Sequence, residues 1–181
     1  MDNIYIDKVL SGDIEAFRYF IKTYKDMGFN LAVSIIKDEQ YAEEIVQDAF
    51  MKAFKGLKSF KRTAKFKSWF YRIVVNEAFQ RLRSNKRGLQ LNYLEESDKK
   101  LLKYQADDTQ DERIDKIRAV LKMLPPKEGL VLNLFYLEET SIKDISKITG
   151  WTKSNIKVIL HRARKNTRLI WQNNMTSYGK I

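Results

Sequence analysis

The chain has no cysteine, two prolines, seven glycines and a single histidine among 181 residues. Without cysteine there is no disulfide and no thiolate metal site, and His161 alone cannot assemble an imidazole site, so neither a metal nor a cofactor is expected. So few prolines and glycines leave a sheet protein short of turns and favour long helices. No apolar run approaches the roughly 18 residues that a membrane span needs. The opening MDNIYIDKVL is acidic and alternating, unlike a basic-then-apolar leader. A Walker loop, a Gly-x-Ser-x-Gly elbow and a Ser/His/Asp set are all missing, so no enzymatic activity is expected. These absences point to a chain without membrane insertion, compatible with a reducing cytoplasm.

What the sequence does have is positive charge and helical periodicity. The formal net charge is +11 with 44% hydrophobic residues, enough apolar material for one core or two small ones and a field that attracts any polyanion. From Lys58 to Arg87 ten basic residues face one acid, Glu77, and from Lys153 to Arg168 six face none. Between them, Leu91 to Glu112 carries seven acids against three lysines. Two basic surfaces on an acidic tether suggest two DNA-touching domains rather than one membrane-binding helix. The expected fold is all-α, two small helical domains joined by a flexible acidic linker at about 89–110.

The segment SIKDISKITGWTKSNIKVILHRARK, Ser141 to Lys165, reads as two short helices with a tight turn. Ser141 is placed to N-cap the first helix while Asp144 reaches back. Ile142, Ile145 and Ile148 share a face, Gly150 supplies a left-handed stop, and Thr152 caps the second helix. There Ile156, Leu160 and Ala163 fall on a buried stripe, leaving a polar, basic N-terminal half suited to a major groove. The same pattern fits a packed helical hairpin with a solvated basic face.

In the N-terminal half, residues 13–37 read as an amphipathic helix pair after a break at Ser11-Gly12-Asp13, with Phe17, Phe20, Ile21 and Tyr24 as its apolar face. Ala42, Ile45, Val46, Ala49, Phe50, Ala53, Phe54 and Leu57 then follow a helical period without a miss. Glu43, Glu44, Gln47 and Asp48 lie opposite, as a solvated face or a docking face. After Gly56 a basic loop becomes a helix from about Lys67, where Phe66, Trp69, Phe70 and Tyr71 interleave with Lys65, Lys67 and Arg72. Such interleaving suits single-stranded nucleic acid. It also suits a core, with Trp69, Ile73 and Leu82 sharing a buried stripe.

Four motifs, AEEIVQDAFMKAFKGL, FKSWFYRIVVNEAFQRLR, LPPKEGLVLNLFYLEE and SIKDISKITGWTKSNIKVILHRARK, occur in the order and spacing of the bacterial extracytoplasmic-function sigma factors. The resemblance covers nearly the whole chain. It implies a promoter-specificity subunit, with a region 2-like domain at 1–88 and a region 4-like helix-turn-helix domain at 111–181. It implies core RNA polymerase docking on Glu43, Glu44, Gln47 and Asp48, and an anti-sigma factor as a further partner. Promoter DNA at the −10 element falls to Lys61, Arg62, Lys65 and Lys67 as phosphate holders, with Arg72, Asn76, Gln80 and Arg83 on the helix beyond. One base of the melted strand is flipped out in family members, at a cost of about a few kcal/mol. At the −35 element the resemblance implies Lys153, Ser154, Asn155, Lys157, Val158, His161 and Arg162. Val75 and Gln80 depart from the family's −10 pattern, Val158 and Ile159 replace a common Ser-Arg pair, and Gly129 sits inside a helix at a cost of about 1 kcal/mol. The linker of relatives threads toward the polymerase active centre; here it fits that role or that of a plain spacer. The other readings are a free-standing helix-turn-helix regulator acting without polymerase, and an adaptor whose basic faces grip acidic partners.

Overall fold

The computed structural model describes residues 1–92 and 120–178, with side chains at 1–84 and 120–172. All regular elements among the described residues are helical. α1 (Asp2–Leu10) ends where Gly12, at φ 110°, turns the chain back. Asp13 then caps a 3₁₀ turn, Ile14–Phe17, by accepting the Ala16 amide. α2 (Arg18–Ile36) follows directly, so residues 13–37 form one long helix behind a tight turn and not the expected helix pair. Ile21, expected in the core, is 39% exposed. Lys37 stops α2 in the left-handed conformation, and Asp38 caps α3 (Glu39–Gly56) through the Tyr41 amide.

α4 runs from Phe66 to Asn92, which carries helix past residue 89, where the linker was expected to begin. The rest of the acidic segment lies outside the described residues. α5 (Pro126–Leu132) begins with Pro126 in its first turn, where a missing amide costs nothing, and passes into a π turn over Asn133–Leu137. The expected single helix at 127–138 is therefore broken in register near its end. α6 (Ile142–Thr149) and α7 (Lys153–Tyr178) complete the described elements.

The caps between them match the sequence reading. The Ser141 hydroxyl oxygen accepts the Asp144 amide at 3.1 Å, and its proton goes to the Asp144 carboxylate at 2.7 Å. Asp144 thus reaches back to the hydroxyl, where a capping box would have it accept the backbone amide. Gly150 stands at φ 75°, and Thr152 accepts the Asn155 amide at 3.2 Å.

Ring packing holds α2, α3 and α4 together. Phe20 meets Phe66 at 4.1 Å between centroids and Phe50 meets Phe70 at 4.4 Å, geometries that add to simple area burial. Phe66, Phe70 and Tyr71 are buried, so these rings are core and unavailable for stacking on bases. Trp69, Ile73 and Leu82 are only partly buried; the buried stripe of α4 is Phe66, Phe70, Tyr71, Val74, Val75 and Ala78.

The second unit packs on the first along a seam. Gly129 of α5 lies so close to α2 that an added Cβ would meet the Ser34 carbonyl oxygen at 2.9 Å and the Lys37 Nζ at 3.0 Å. This close approach accounts for a glycine inside a helix. The Lys37 ammonium donates to the carbonyls of Ser34 and Leu121, tying the C-terminal end of α2 to the other unit. Burial pulls its pKa down to about 8, which still leaves it charged at neutral pH. Asn133, 1% exposed, donates to the Asn30 carbonyl at 3.3 Å. Glu138, just past the π turn, accepts from the Tyr71 hydroxyl and pairs with Lys67 at 2.8 Å. Burial first, and then the Glu138 bond, raise the Tyr71 pKa, so the phenol keeps its proton and donates. Phe79 meets Trp151 edge-on at 5.9 Å.

Two expectations follow. Phe70→Ala removes the ring at the centre of the α2–α4 packing and should lower stability by about 3–5 kcal/mol in denaturant titrations. The Asp144 carboxyl is held below its usual range first by the Ser141 hydroxyl and then by Lys147. Its share of stability is present above the unfolded-state pKa and is lost as pH falls through the lower folded value. Ser141→Ala should raise the Asp144 titration midpoint in carboxyl NMR and cost about 1 kcal/mol of stability; an unmoved midpoint would refute the assigned cause.

Candidate nucleic-acid interface

α7 separates its residues cleanly by face. Ile156, Ile159, Leu160 and Ala163 are buried, whereas Lys153, Ser154, Asn155, Lys157, Val158, His161 and Arg162 are all exposed on its first three turns. The N-terminal end of a helix carries partial positive charge, so this half offers backbone dipole and cations to an anionic duplex. Val158 is 49% exposed and offers a methyl surface, while burial of Ile159 removes that position from contact altogether. The missing Ser-Arg pair is thus half exposed apolar surface and half core. Farther along, Arg164 donates to the Tyr136 hydroxyl at 2.8 Å, which fixes the cation against the unit's own flank.

The residues assigned to the −10 element divide into three groups. Arg72, Asn76, Gln80 and Arg83 are exposed and, at about 100° of helical phase per residue, share one stripe of α4. Lys61, Arg62 and Lys65 sit exposed in the loop that precedes α4. Arg62 adopts φ 55° and forms an ion pair with Asp7 of α1, which orders the loop and occupies that guanidinium. Lys67 lies roughly opposite the stripe in helical phase and is bound to Glu138. The structure does not bring it together with the others.

On α3, Glu43, Glu44, Gln47 and Asp48 are exposed along one side. Glu44 is engaged within the chain by Arg81 at 2.9 Å, and the Arg81 guanidinium also lies over the Tyr41 ring at 4.6 Å. Next to Glu43 and Gln47 an open groove of about 930 Å³ runs between α2 and α3, with Ile14, Ile21, Phe29 and Met51 along it. Its rim mixes Glu15, Asp26 and Glu43 with Arg18 and Lys25, and charges of both signs around an apolar floor suit a protein partner better than a nucleic acid. Among the described residues there is no cluster of metal-ligating side chains and no helix long and apolar enough to cross a membrane.

Sequence reasoning missed Lys37, Glu138 and Arg81. Gly129 was the one signal available for the seam, because a glycine in a helix interior asks what stands against it. Nothing local marks Glu138, whose partners lie on another helix far along the chain.

Comparison with known proteins places the two units in known families. Residues 20–88 match sigma-70 region 2, and residues 114–166 match sigma-70 region 4. The chain is 30% identical to the ECF RNA polymerase sigma factor SigW of Bacillus subtilis over 90% of its own length and 92% of that protein. It is 27% identical to SigV of the same organism over 82% of its length and 87% of that protein. The fold is shared with the sigma factor RpoE of Bartonella quintana, solved in complex with the anti-sigma factor NepR, at a TM-score of 0.68 and 24% identity, covering 86% of this chain and 96% of that one. CnrH, solved with the cytosolic domain of CnrY, gives a TM-score of 0.68 at 19% identity over 95% and 97% of the two chains. With both regions present in order and a relative of this similarity spanning almost its entire length, the chain belongs to the extracytoplasmic-function RNA polymerase sigma factors, which direct polymerase to promoters and help open them.

Proposed function

We propose that the three exposed surfaces divide the work of initiation as follows. The acidic side of α3, through Glu43, Gln47 and Asp48 with Glu44 at its margin, docks on core RNA polymerase. Lys61, Lys65 and the α4 stripe Arg72, Asn76, Gln80 and Arg83 take the −10 element, with Arg62 joining once its ion pair with Asp7 opens. The first three turns of α7 enter the major groove at the −35 element. The chain itself performs no catalysis, since bond formation belongs to polymerase, and it works in the cytoplasm without a cofactor. Domain boundaries near 88 and 111 serve these roles, with the acidic segment between them as tether.

The observation that carries the reading is the segregation of surfaces. Two exposed basic stripes stand on separate helices, while the exposed acidic side of a third helix borders an apolar groove. Cations on the stripes release counterions from phosphates, and polar side chains among them reach base edges. An anti-sigma factor is a further partner we infer for this chain, as NepR is for RpoE.

Run-off transcription with cognate core polymerase and a promoter library tests the whole reading: a transcript dependent on the chain is expected, and none from a folded chain would overturn it. Asp48→Lys should weaken core binding without changing helical content, and unchanged affinity would remove α3 from the docking face. Lys157→Ala and Arg162→Ala should weaken −35 duplex binding. Loss of a phosphate contact lowers affinity evenly across sequences and reduces the salt slope by about 1, whereas loss of a base contact costs about 1–3 kcal/mol and relaxes specificity. Either variant binding like wild type at several salt concentrations would cancel its assignment.

A further inference from the structure

α1 is docked firmly against α2. Ile6 is fully buried, the Tyr5 ring stacks on Tyr19 at 3.9 Å, and the Asp2 carboxylate accepts the Tyr19 and Tyr24 hydroxyls at 3.0 and 2.8 Å. Asp7, one residue past Ile6, is therefore presented from a fixed helix, and its carboxylate takes the Arg62 guanidinium of the loop assigned to the −10 element. It stands in the last turn of α1, where the helix dipole disfavours negative charge, so the carboxylate gains nothing from its own helix. Nor does the loop need it as a staple. Phe60 stacks on Trp69 at 4.8 Å at one end, and at the other the Lys65 carbonyl accepts the Trp69 amide at 3.2 Å. Lys61 and Lys65, on either side of Arg62, are exposed and form no ion pair among the described residues. Of the three cations in the loop, only Arg62 is held.

We propose that Asp7 is a built-in competitor for the phosphate of the melted strand: its carboxylate holds Arg62 and weakens capture of single-stranded DNA by the loop until a phosphodiester takes its place. The proposal rests on the assignment of this loop to the −10 element. A carboxylate and a phosphate offer a guanidinium the same kind of charged oxygen, so the two are alternative ligands of one cation. The pair is open to exchange, because the Arg62 side chain is 38% exposed and that of Asp7 64%. It also yields readily, since an exposed pair shifts an equilibrium by no more than about fivefold. Arg62 stands at φ 55°, a conformation that a side-chain-bearing residue keeps only where its surroundings impose it, so opening the pair frees the backbone to relax. Asp7 acts through Arg62 and touches no DNA. As a positioning residue it sets how tightly the strand is held, and leaves the reading of sequence to groups that meet the bases.

Strand binding by holoenzyme tests this, with the full-length chain assembled on saturating cognate core polymerase. The probe is a fluorescent single strand carrying the non-template −10 sequence of a promoter recovered by run-off transcription. Arg62→Gln should weaken binding of that strand. Asp7→Asn should tighten it by about two- to fivefold at low salt, and the gain should shrink as salt rises and screens the exposed pair. Asp7→Glu, which keeps the carboxylate, should bind like wild type. In an Arg62→Gln background Asp7→Asn should change nothing, because the group it would free is gone. That double variant separates competition for one guanidinium from the general effect of one negative charge fewer on a polyanion.

Unchanged or weaker binding by Asp7→Asn would overturn the competitor, as would an equal gain with and without Arg62. Either result, with Arg62→Gln still weakening the strand, would leave the −10 assignment standing. Arg62→Gln without effect would overturn both, by removing the guanidinium from the path of the strand.

Discussion

α4 answers to three neighbours at once, and the rest of the molecule is arranged around that demand. One arc, with Phe66, Phe70 and Val74, is locked into the rings of α2 and α3. A second, with Lys67, Tyr71 and Phe79, meets the other unit. The third, from Arg72 to Arg83, is left to solvent. Only a helix with few glycines and an uninterrupted period can present three distinct surfaces over so many turns. Buried aromatic packing fixes the rotation of that helix, and rotation decides which cations face outward. The placement of the basic stripe is thus a by-product of where the phenyl rings must go.

Much of this was legible because the decisive signals are local. Ser141, Gly150 and Thr152 each act on amides or dihedrals within three residues, so the helix-turn-helix could be laid out from sequence with only the partner of Asp144 misassigned. The unbroken period of α3 behaved the same way. What stayed open, or failed, were readings that relied on composition. The mixture of rings and cations at the start of α4 resembles a base-stacking surface when read as a string, but helical phase sends Phe66 and Phe70 inward and Arg72 outward. Ile21 failed for a related reason, since the groove between α2 and α3 leaves it uncovered.

The candidate site divides along the same line. Positions on the exposed half of α7 were readable, because a capped helix with a buried stripe leaves its other side no alternative. Lys67 was not, because its fate depends on a carboxylate contributed by a distant segment. Arg62 and Glu44 likewise have partners, Asp7 and Arg81, that no spacing rule connects. Charge counting finds the region where an anion will be attracted; it does not find which cations already have a counter-charge within the chain.

The π turn at Asn133–Leu137 carries a consequence for how such a chain can vary. A π turn inserts one extra residue into a helical ladder, so everything after it is displaced by about 100° relative to a regular continuation. Excision of a single residue there would let the hydrogen bonds revert to the ordinary spacing and swing the carboxylate of Glu138 away from Tyr71. Whether Glu138 reaches Tyr71 and Lys67 across the seam can therefore hinge on a one-codon deletion that removes no cap and no surface charge.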